Sequence, residues 1–233
     1  MYKISSSVLS QIIGKTGTLT LNRPKALHAL NTEMCEALTK QLLTWIDDTR
    51  VELVVFQHAP GTRGFCAGGD VKMLADSGAR YDDRGELFFQ TEYRLNELIS
   101  RYPKPIVAVM DGITMGGGVG LSIHATYQIA TQNTVLAMPE TGIGLFPDVG
   151  STWFLPRLNG ELGTWLALTG ARLKGSDVLA AGMATHFCDA RQLKQLQTDL
   201  SVDGCAALGE LQTAAKFQAH GYIEDLQYLF AGE

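Results

Sequence analysis

The sequence predicts an α/β fold in which most neighbouring strands run parallel. Short apolar runs typical of strands alternate with longer segments in which apolar residues recur at helical spacing. Two glycine-rich segments follow strand-like runs, as turns between elements do. A helix between two strands returns the chain to the start of the sheet, so successive strands pair in parallel.

The elements are predicted in the order strand, helix, strand, helix, strand, helix. They begin with a hairpin at residues 8–13 and 18–21, followed by a helix at 32–45 that Asn31 or Thr32 caps. Beyond residue 164 the sequence indicates mainly helix and loop. The remaining elements are a strand at 53–56, a helix at 83–100, a strand at 106–110 and a helix at about 119–124.

Composition excludes several classes of partner. The 233 residues are 45% hydrophobic and carry a net charge of −5, whereas a nucleic-acid-binding protein normally presents a basic face. No apolar run approaches the roughly 18 residues that span a bilayer, and residues 1–14 lack the basic and apolar parts of a leader. We therefore expect a globular, cytosolic protein with no nucleic-acid and no membrane partner.

Several cofactor and metal motifs are incomplete. The Gly-Lys-Thr triplet at 14–16 lacks the earlier glycine of a phosphate-binding loop, because that position is Leu9. A dinucleotide fingerprint at 116–121 fails at Leu121. The four cysteines and five histidines show no metal-binding spacing, and we expect the cysteines to be reduced. Catalysis is therefore expected to depend on carboxylates and backbone N–H groups.

Two glycine-dense segments are the strongest functional signal. They occupy residues 65–70 and 111–120, and each follows a strand-like run. Glycine lets a ligand approach the backbone closely, although it costs roughly 0.5–1 kcal/mol per residue in regular structure. Tight turns alone would explain one such segment. The two together predict an oxyanion hole, in which fixed N–H groups stabilise the negative oxygen that develops on a thioester carbonyl.

Four motifs in collinear order carry a family resemblance. They are Asn-Arg-Pro-Lys-Ala-Leu-His-Ala-Leu at 22–30, Phe-Cys-Ala-Gly-Gly-Asp at 65–70, Met-Asp-Gly at 110–112 with three glycines at 116–118, and Met-Pro-Glu at 138–140. Together they resemble the crotonase superfamily, the enoyl-CoA hydratase/isomerase fold. The resemblance implies a crotonase-like spiral of ββα units in a core at residues 1–188, followed by a C-terminal helical segment at 189–233.

The resemblance also implies roles for individual positions. The oxyanion hole would be formed by the backbone N–H groups of Gly69 and Gly117. Lys25 and Ala26 would lie along the coenzyme A nucleotide and Ala67 near its adenine, although Lys25 is alternatively a solvated surface lysine. Asp70, at the end of the first glycine segment, is interpreted as a structural cap of its turn. No metal and no separate cofactor is implied, because coenzyme A is part of the substrate.

The positions of two glutamates distinguish branches of this superfamily. Its hydratases use a pair, of which the second corresponds to Glu140, whereas the first would fall at Gly120, which cannot activate water. Residues 138–150 resemble instead the branch that hydrolyses 3-hydroxyisobutyryl-CoA in valine degradation. That branch pairs the glutamate with an aspartate eight positions on, here Asp148, and has an acidic residue on an earlier helix, which matches Glu92.

The helical pattern independently predicts that Glu92 is buried. Phe88 and Leu95 share its face, so the carboxylate points towards the apolar side of the helix, where burial would raise its pKa. Structural pairing with Arg94 or another arginine is the alternative to a substrate-binding role. For Asp148 the alternative is a helix N-cap, because helical residues follow it.

The working hypothesis is hydrolysis of a short 3-hydroxyacyl-CoA thioester. Glu140 would act as nucleophile or general base, and Asp148 would bind the 3-hydroxyl group or assist. An enoyl-CoA hydratase or isomerase with Glu140 as its sole acid/base is a second possibility, and a non-catalytic CoA-binding or assembly subunit is a third. The resemblance further implies an acyl-CoA partner, a homotrimer, and an incomplete C-terminal helical segment.

Overall fold

Two β-sheets and eight α-helices form the part of the chain that the computed structural model describes, which is residues 2–217, 225–226 and 229–230. The strands are Tyr2–Lys3 (β1), Val8–Ile13 (β2), Thr16–Leu21 (β3), Leu53–His58 (β4), Gly64–Cys66 (β5), Ile106–Met110 (β6), Ile113–Met115 (β7), Tyr127–Ala130 (β8), Val135–Ala137 (β9), Leu173–Lys174 (β10) and His186–Phe187 (β11). The helices are Thr32–Ile46 (α1), Val71–Arg80 (α2), Arg84–Ser100 (α3), Gly117–Ile123 (α4), Ser151–Phe154 (α5), Leu162–Thr169 (α6), Asp177–Ala180 (α7) and Leu193–Asp203 (α8).

From β4 to β9, successive strands alternate between the two sheets, which makes this part of the fold a spiral. The large sheet has the order β1-β2-β3-β4-β6-β8-β11 and is parallel from β3 onward, while the small sheet has the order β10-β9-β7-β5. Strands β4, β6 and β8 each lead to a strand of the small sheet and then to helices. The predicted α/β class and the implied ββα units are both confirmed.

Hydrophobic side chains are packed against both faces of the large sheet. In β4 and β6, alternate residues point to opposite faces. Val54, Phe56 and Ala108 join the main hydrophobic core, whereas Val55 and Val107 join a second cluster with Leu196 and Leu200 of α8. The near-continuous apolar runs in these strands are therefore buried from both sides, as expected for parallel strands.

Most predicted elements are present, with shifted ends. Strand 106–110 and helix 83–100 agree within one residue, and Asn31 is the cap of α1, since its side chain accepts a bond from Met34 N at 2.9 Å. The helix predicted at 119–124 begins two residues earlier, at Gly117. The short strands β10 and β11 were not expected beyond residue 164, and most of the helical region expected at 220–233 lies outside the described residues.

The small sheet brings the two glycine segments together. Strands β5 and β7 are parallel neighbours, so their carboxyl ends, which lead into the two segments, lie at the same edge. The contact is so close that a Cβ atom at Gly118 would overlap the carbonyl oxygen of Cys66.

None of the helices in the described part of the chain has the length and apolar character of a membrane span.

We predict that Gly118→Ala lowers the free energy of unfolding by about 2–4 kcal/mol, because backbone atoms rather than a flexible side chain occupy the space. The matched control is Gly78→Ala in α2, where no atom lies within 4 Å of the new methyl group. Gly78→Ala is expected to stabilise by about 0.5–1 kcal/mol. Urea unfolding measures both, and equal effects would contradict the close packing at Gly118.

Candidate active site

A small cavity of 70 Å³ lies where the two glycine segments meet. Gly68 and Gly69 line it from one side, and Gly116 and Gly117 from the other. Gly68 has a φ of 103°, and a Cβ atom there would lie 3.1 Å from the carbonyl oxygen of Met115. The positive φ and this close approach together explain why the segment requires glycine.

The N–H group of Gly69 is oriented by its pairing with Leu30. The two residues form a parallel bridge, in which Leu30 N donates to Gly68 O at 2.7 Å and Asp70 N donates to Leu30 O at 2.8 Å. Both bonds are made by the neighbours of Gly69, so Gly69 itself turns its N–H to the opposite side. Gly69 is also one of the residues that line the cavity.

Gly117 is the second residue predicted to be a backbone donor. It is the first residue of α4, and the N–H groups of the first helical turn have no partner within the helix. A Cβ atom at Gly117 would overlap Oε1 of Glu92, so a larger residue here would displace the Glu92 carboxylate. The pair predicted from sequence is therefore brought to one cavity.

Three carboxylates line the same cavity. Glu92 extends from the middle of α3 and is 2% exposed, Glu140 follows β9 and is 5% exposed, and Asp148 lies in the loop before α5. Oε1 of Glu92 and Oε2 of Glu140 have no hydrogen-bond partner among the described residues. Unpartnered buried carboxylate oxygens are costly and indicate a site built for another molecule.

Burial shifts the protonation of all three groups. It raises the pKa of Glu92 to about 8, with further contributions from the charges of Asp148 and Glu140. Burial also raises the pKa of Glu140 to about 7, opposed by a backbone hydrogen bond and assisted by the charge of Asp148. The pKa of Asp148 itself is raised by burial, against a hydrogen bond from Tyr93. Near neutral pH the site therefore contains both protonated carboxylic acids and ionised carboxylates.

Tyr93 is a site residue that the sequence analysis missed. Its hydroxyl donates to Oδ2 of Asp148 at 2.7 Å. The N-cap alternative for Asp148 is not observed, because Gly150 precedes α5 and no side chain caps that helix. The signal was available in part, since Tyr93 directly follows Glu92, but the two partners are 55 residues apart in sequence.

The structural alternative for Glu92 is also not observed. Arg94 is exposed, and Oε1 of Glu92 has no partner among the described residues. Asp70, in contrast, is the structural cap that was predicted, since its Oδ1 accepts from Met73 N at 3.1 Å at the start of α2.

The three positions expected along coenzyme A are separated in the structure. Ala67 lines the cavity, whereas Lys25 and Ala26 belong to the short 3₁₀ turn Pro24–Ala26 outside its lining. The turn is nevertheless adjacent, because Ala67 N donates to Leu27 O at 3.0 Å. Lys25 is exposed there.

Position 120 has no space for a glutamate. A Cβ atom at Gly120 would lie 2.8 Å from Cβ of Val149 and 3.2 Å from Nδ2 of Asn96. The packing of α4 against α3 and the loop at 149 therefore explains the glycine where the hydratases of the superfamily carry their first glutamate.

Comparison with known proteins gives the family. Residues 16–225 match the family model described as enoyl-CoA hydratase/isomerase. The chain belongs to this family. A member of known structure, a carnitinyl-CoA dehydratase from Mycobacterium thermoresistibile, superposes with a TM-score of 0.90 at 39% identity, covering 98% of this chain and 68% of that one. An enoyl-CoA hydratase from Rhodobacter sphaeroides 2.4.1 gives a TM-score of 0.86 at 39% identity, covering 97% and 67%.

Curated relatives within the enoyl-CoA hydratase/isomerase family share more of the sequence. The protein named 3-hydroxyisobutyryl-CoA hydrolase, mitochondrial, from Danio rerio is 51% identical over 198 residues, which are 85% of this chain and 52% of the relative. The protein of the same name from Homo sapiens is 48% identical over 196 residues, covering 84% and 50%. The chain thus spans about half the length of the curated relatives it matches.

These names contradict the expected cytosolic location. Both relatives are described as mitochondrial. The expectation was wrong because it rested on the lack of an apolar span and of a leader pattern in this sequence. Neither feature indicates the compartment in which a folded protein of this family is found.

Glu92 should make folding stability depend on pH. Its pKa is raised from 4.5 to about 8, so the folded protein holds this proton more tightly, and stability is lost as pH rises from about 4.5 through about 8. We predict that Glu92→Gln flattens this decline, which for one proton has a slope of at most about 1.4 kcal/mol per pH unit. Urea unfolding across this pH range provides the measurement. The control is Glu97→Gln on the exposed side of the same helix, and identical curves for the three proteins would refute the burial of an acidic proton at Glu92.

Proposed function

We propose that this protein hydrolyses a short 3-hydroxyacyl-CoA thioester of the 3-hydroxyisobutyryl-CoA type, as its curated relatives are named to do. The observation that carries the proposal is the convergence of Glu140 and Asp148 on a cavity bordered by Gly69 and Gly117. The packed position of Gly120 supports hydrolysis over hydration, since the first of the two glutamates of a hydratase has no place there.

The two glycine N–H groups act on the thioester carbonyl. As the carbonyl carbon becomes tetrahedral, negative charge moves onto its oxygen, and donors fixed in advance stabilise it without reorganising. Because that charge exists mainly in the transition state, the two donors raise the rate of the chemical step more than they strengthen substrate binding.

Glu140 is the group that starts the reaction. With a pKa of about 7 it is partly ionised at neutral pH, and its Oε2 has no hydrogen-bond partner in the part of the chain that the structure describes. As a nucleophile it would form an acyl anhydride and release coenzyme A thiolate, after which water would regenerate the carboxylate. As a general base it would take a proton from a water that attacks the carbonyl directly. Both routes consume one water and yield a free acid and coenzyme A.

The other two carboxylates recognise the acyl group. Tyr93 occupies Oδ2 of Asp148, which leaves Oδ1 to accept a hydrogen bond from a 3-hydroxyl group. Glu92, with a pKa of about 8, is mainly a neutral acid at pH 7 and is therefore able to donate a hydrogen bond to substrate. A hydroxylated acyl group fits such a set of partners better than a plain hydrocarbon does.

The size of the cavity favours a short acyl group. Its 70 Å³ is well below the roughly 300–1,000 Å³ of a typical ligand pocket. It adjoins a cleft of about 500 Å³, and the residues that line both are Val71, Leu74, Phe89, Ile143 and Leu145. We assign the reacting carbonyl and its short substituent to the cavity, and place coenzyme A along the neighbouring turn that carries Lys25.

We predict that the protein releases free thiol from 3-hydroxyisobutyryl-CoA and that Glu140→Gln lowers kcat about 10²- to 10⁴-fold. A thiol-titration assay over a panel of acyl-CoA substrates measures this. The control, Glu36→Gln at an exposed position of α1, should leave kcat unchanged.

Two other outcomes would overturn hydrolysis. Conversion of crotonyl-CoA without thiol release would make the protein a hydratase with Glu140 as its sole acid/base. Binding of acyl-CoA with no turnover, equally in the wild type and Glu140→Gln, would make it a non-catalytic CoA-binding subunit.

We further predict the effect of Asp148→Asn on the pH profile. Since the charge of Asp148 contributes to the raised pKa of Glu140, removing it should move the acidic limb of kcat/KM from near pH 7 to lower pH. Loss of the hydroxyl acceptor should also reduce kcat/KM about 10-fold or more. Initial rates between pH 5 and 9 provide the test, with Asp47→Asn at an exposed site as the control. An acidic limb that stays in place would exclude electrostatic coupling between the two carboxylates.

A further inference from the structure

The loop between β3 and α1 contains two consecutive strained residues. Leu27 has a φ of 48° and His28 a φ of 58°, so both adopt the left-handed conformation without being glycine. Each such residue costs of order 1–3 kcal/mol and persists only where its surroundings hold it. The loop ends at Leu30, the residue whose pairing orients Gly69.

Arg23 holds this loop through both its backbone and its side chain. Its N–H donates to Nδ1 of His28 at 2.9 Å, and its carbonyl oxygen accepts from His28 N at 3.0 Å. Its guanidinium Nη1 donates to the carbonyl oxygen of Ala29 at 2.9 Å. Arg23 thus bonds to the second residue of the strained pair and to the residue that follows it.

The same guanidinium also reaches the oxyanion segment. Nη2 of Arg23 lies 2.6 Å from Oδ2 of Asp70, in a pair whose side chains are only 28% and 17% exposed. Asp70 is fixed in turn, since its other oxygen caps α2. Arg23 therefore ties the strained loop to the residue that follows Gly69.

The two hydrogen bonds of the Arg23 guanidinium flank the Leu30–Gly69 bridge, which orients the proposed donor, the N–H group of Gly69. Ala29 precedes Leu30 and Asp70 follows Gly69, so the two guanidinium bonds lie directly beside the Leu30–Gly69 bridge. The fork of an arginine spans two separate acceptors at a fixed distance, whereas a lysine presents one charged point. Hydrogen bonds weaken steeply with angle and distance, so a small displacement of Gly69 would impair its interaction with an oxyanion.

We propose that Arg23 is a positioning residue for catalysis, which sets the direction of the Gly69 N–H by clamping the strained loop at 27–28 to Asp70. This inference rests on the proposed function, because it requires Gly69 to be an oxyanion donor. It adds to that function a residue outside the cavity lining, which acts on the substrate only through the backbone of Gly69.

The test compares Arg23→Ala and Arg23→Lys with Arg80→Ala. Arg23→Ala is expected to lower kcat for thiol release about 10- to 100-fold while KM changes less than about threefold, since the donor acts mainly in the transition state. Arg23→Lys should be intermediate, and added guanidinium ion should restore part of the rate of Arg23→Ala. Arg80 also pairs with an aspartate, Asp76 at 3.0 Å, but on the exposed surface of α2, so Arg80→Ala should keep wild-type kinetics.

Asp70→Asn is a second variant that tests the same contact if Arg23→Ala fails to fold. It removes the charge of Asp70 but keeps the volume of the side chain and the oxygen that caps α2. A kcat within twofold of wild type in folded Arg23→Ala and Asp70→Asn would overturn the proposal. So would a loss of rate that matches the fraction of unfolded protein.

Amide hydrogen exchange separates failure of this inference from failure of the proposed function. If the wild type hydrolyses no thioester, the proposed function fails, and the clamp remains testable without activity. Exchange at the amides of Leu30 and Asp70, which form the bridge bonds, should then be at least tenfold faster in Arg23→Lys than in the wild type and unchanged in Arg80→Ala. Equal exchange in all three proteins would overturn the clamp.

Discussion

The rest of the site depends on one close contact between backbones at the edge of the small sheet. Parallel pairing of β5 with β7 places both glycine segments at the same edge, and several glycines leave no space for side chains between them. Gly118 lies against the carbonyl oxygen of Cys66, and Gly117 against Glu92. This absence of side chains allows two N–H groups and three carboxylates to surround a cavity of 70 Å³.

The same compactness determines the electrostatics. Carboxylates placed this deeply lose their hydration, so burial is the leading cause of the raised pKa at Glu92, Glu140 and Asp148. Such an arrangement costs stability, and strongly shifted pKa values of this kind are typical of functional sites. Charged groups that are buried close together interact strongly. The carboxyl groups of this small cavity therefore differ in their degree of protonation at the same pH.

The features of the site that depend on local residue patterns could be predicted from the sequence. The periodicity of α3 predicted that Glu92 faces inward, and glycine density predicted the two turns. The three-residue strands β5 and β7 are too short for a periodic signal, so residue patterns did not reveal the second sheet. Contacts such as Tyr93–Asp148 and Arg23–Asp70 join residues 55 and 47 positions apart, and only the folded topology brings them together. Family resemblance supplied Gly69 and Gly117 as the donor pair, while the reason for their orientation required the structure.

The most direct test of this account is a crystal structure with an analogue of 3-hydroxyisobutyryl-CoA in which a methylene group replaces the thioester sulfur. The account predicts that the analogue's carbonyl oxygen lies about 2.7–3.1 Å from both Gly69 N and Gly117 N, with a carboxylate oxygen of Glu140 facing the carbonyl carbon. A carbonyl bound elsewhere, with either glycine N–H bonded to another protein group, would contradict it.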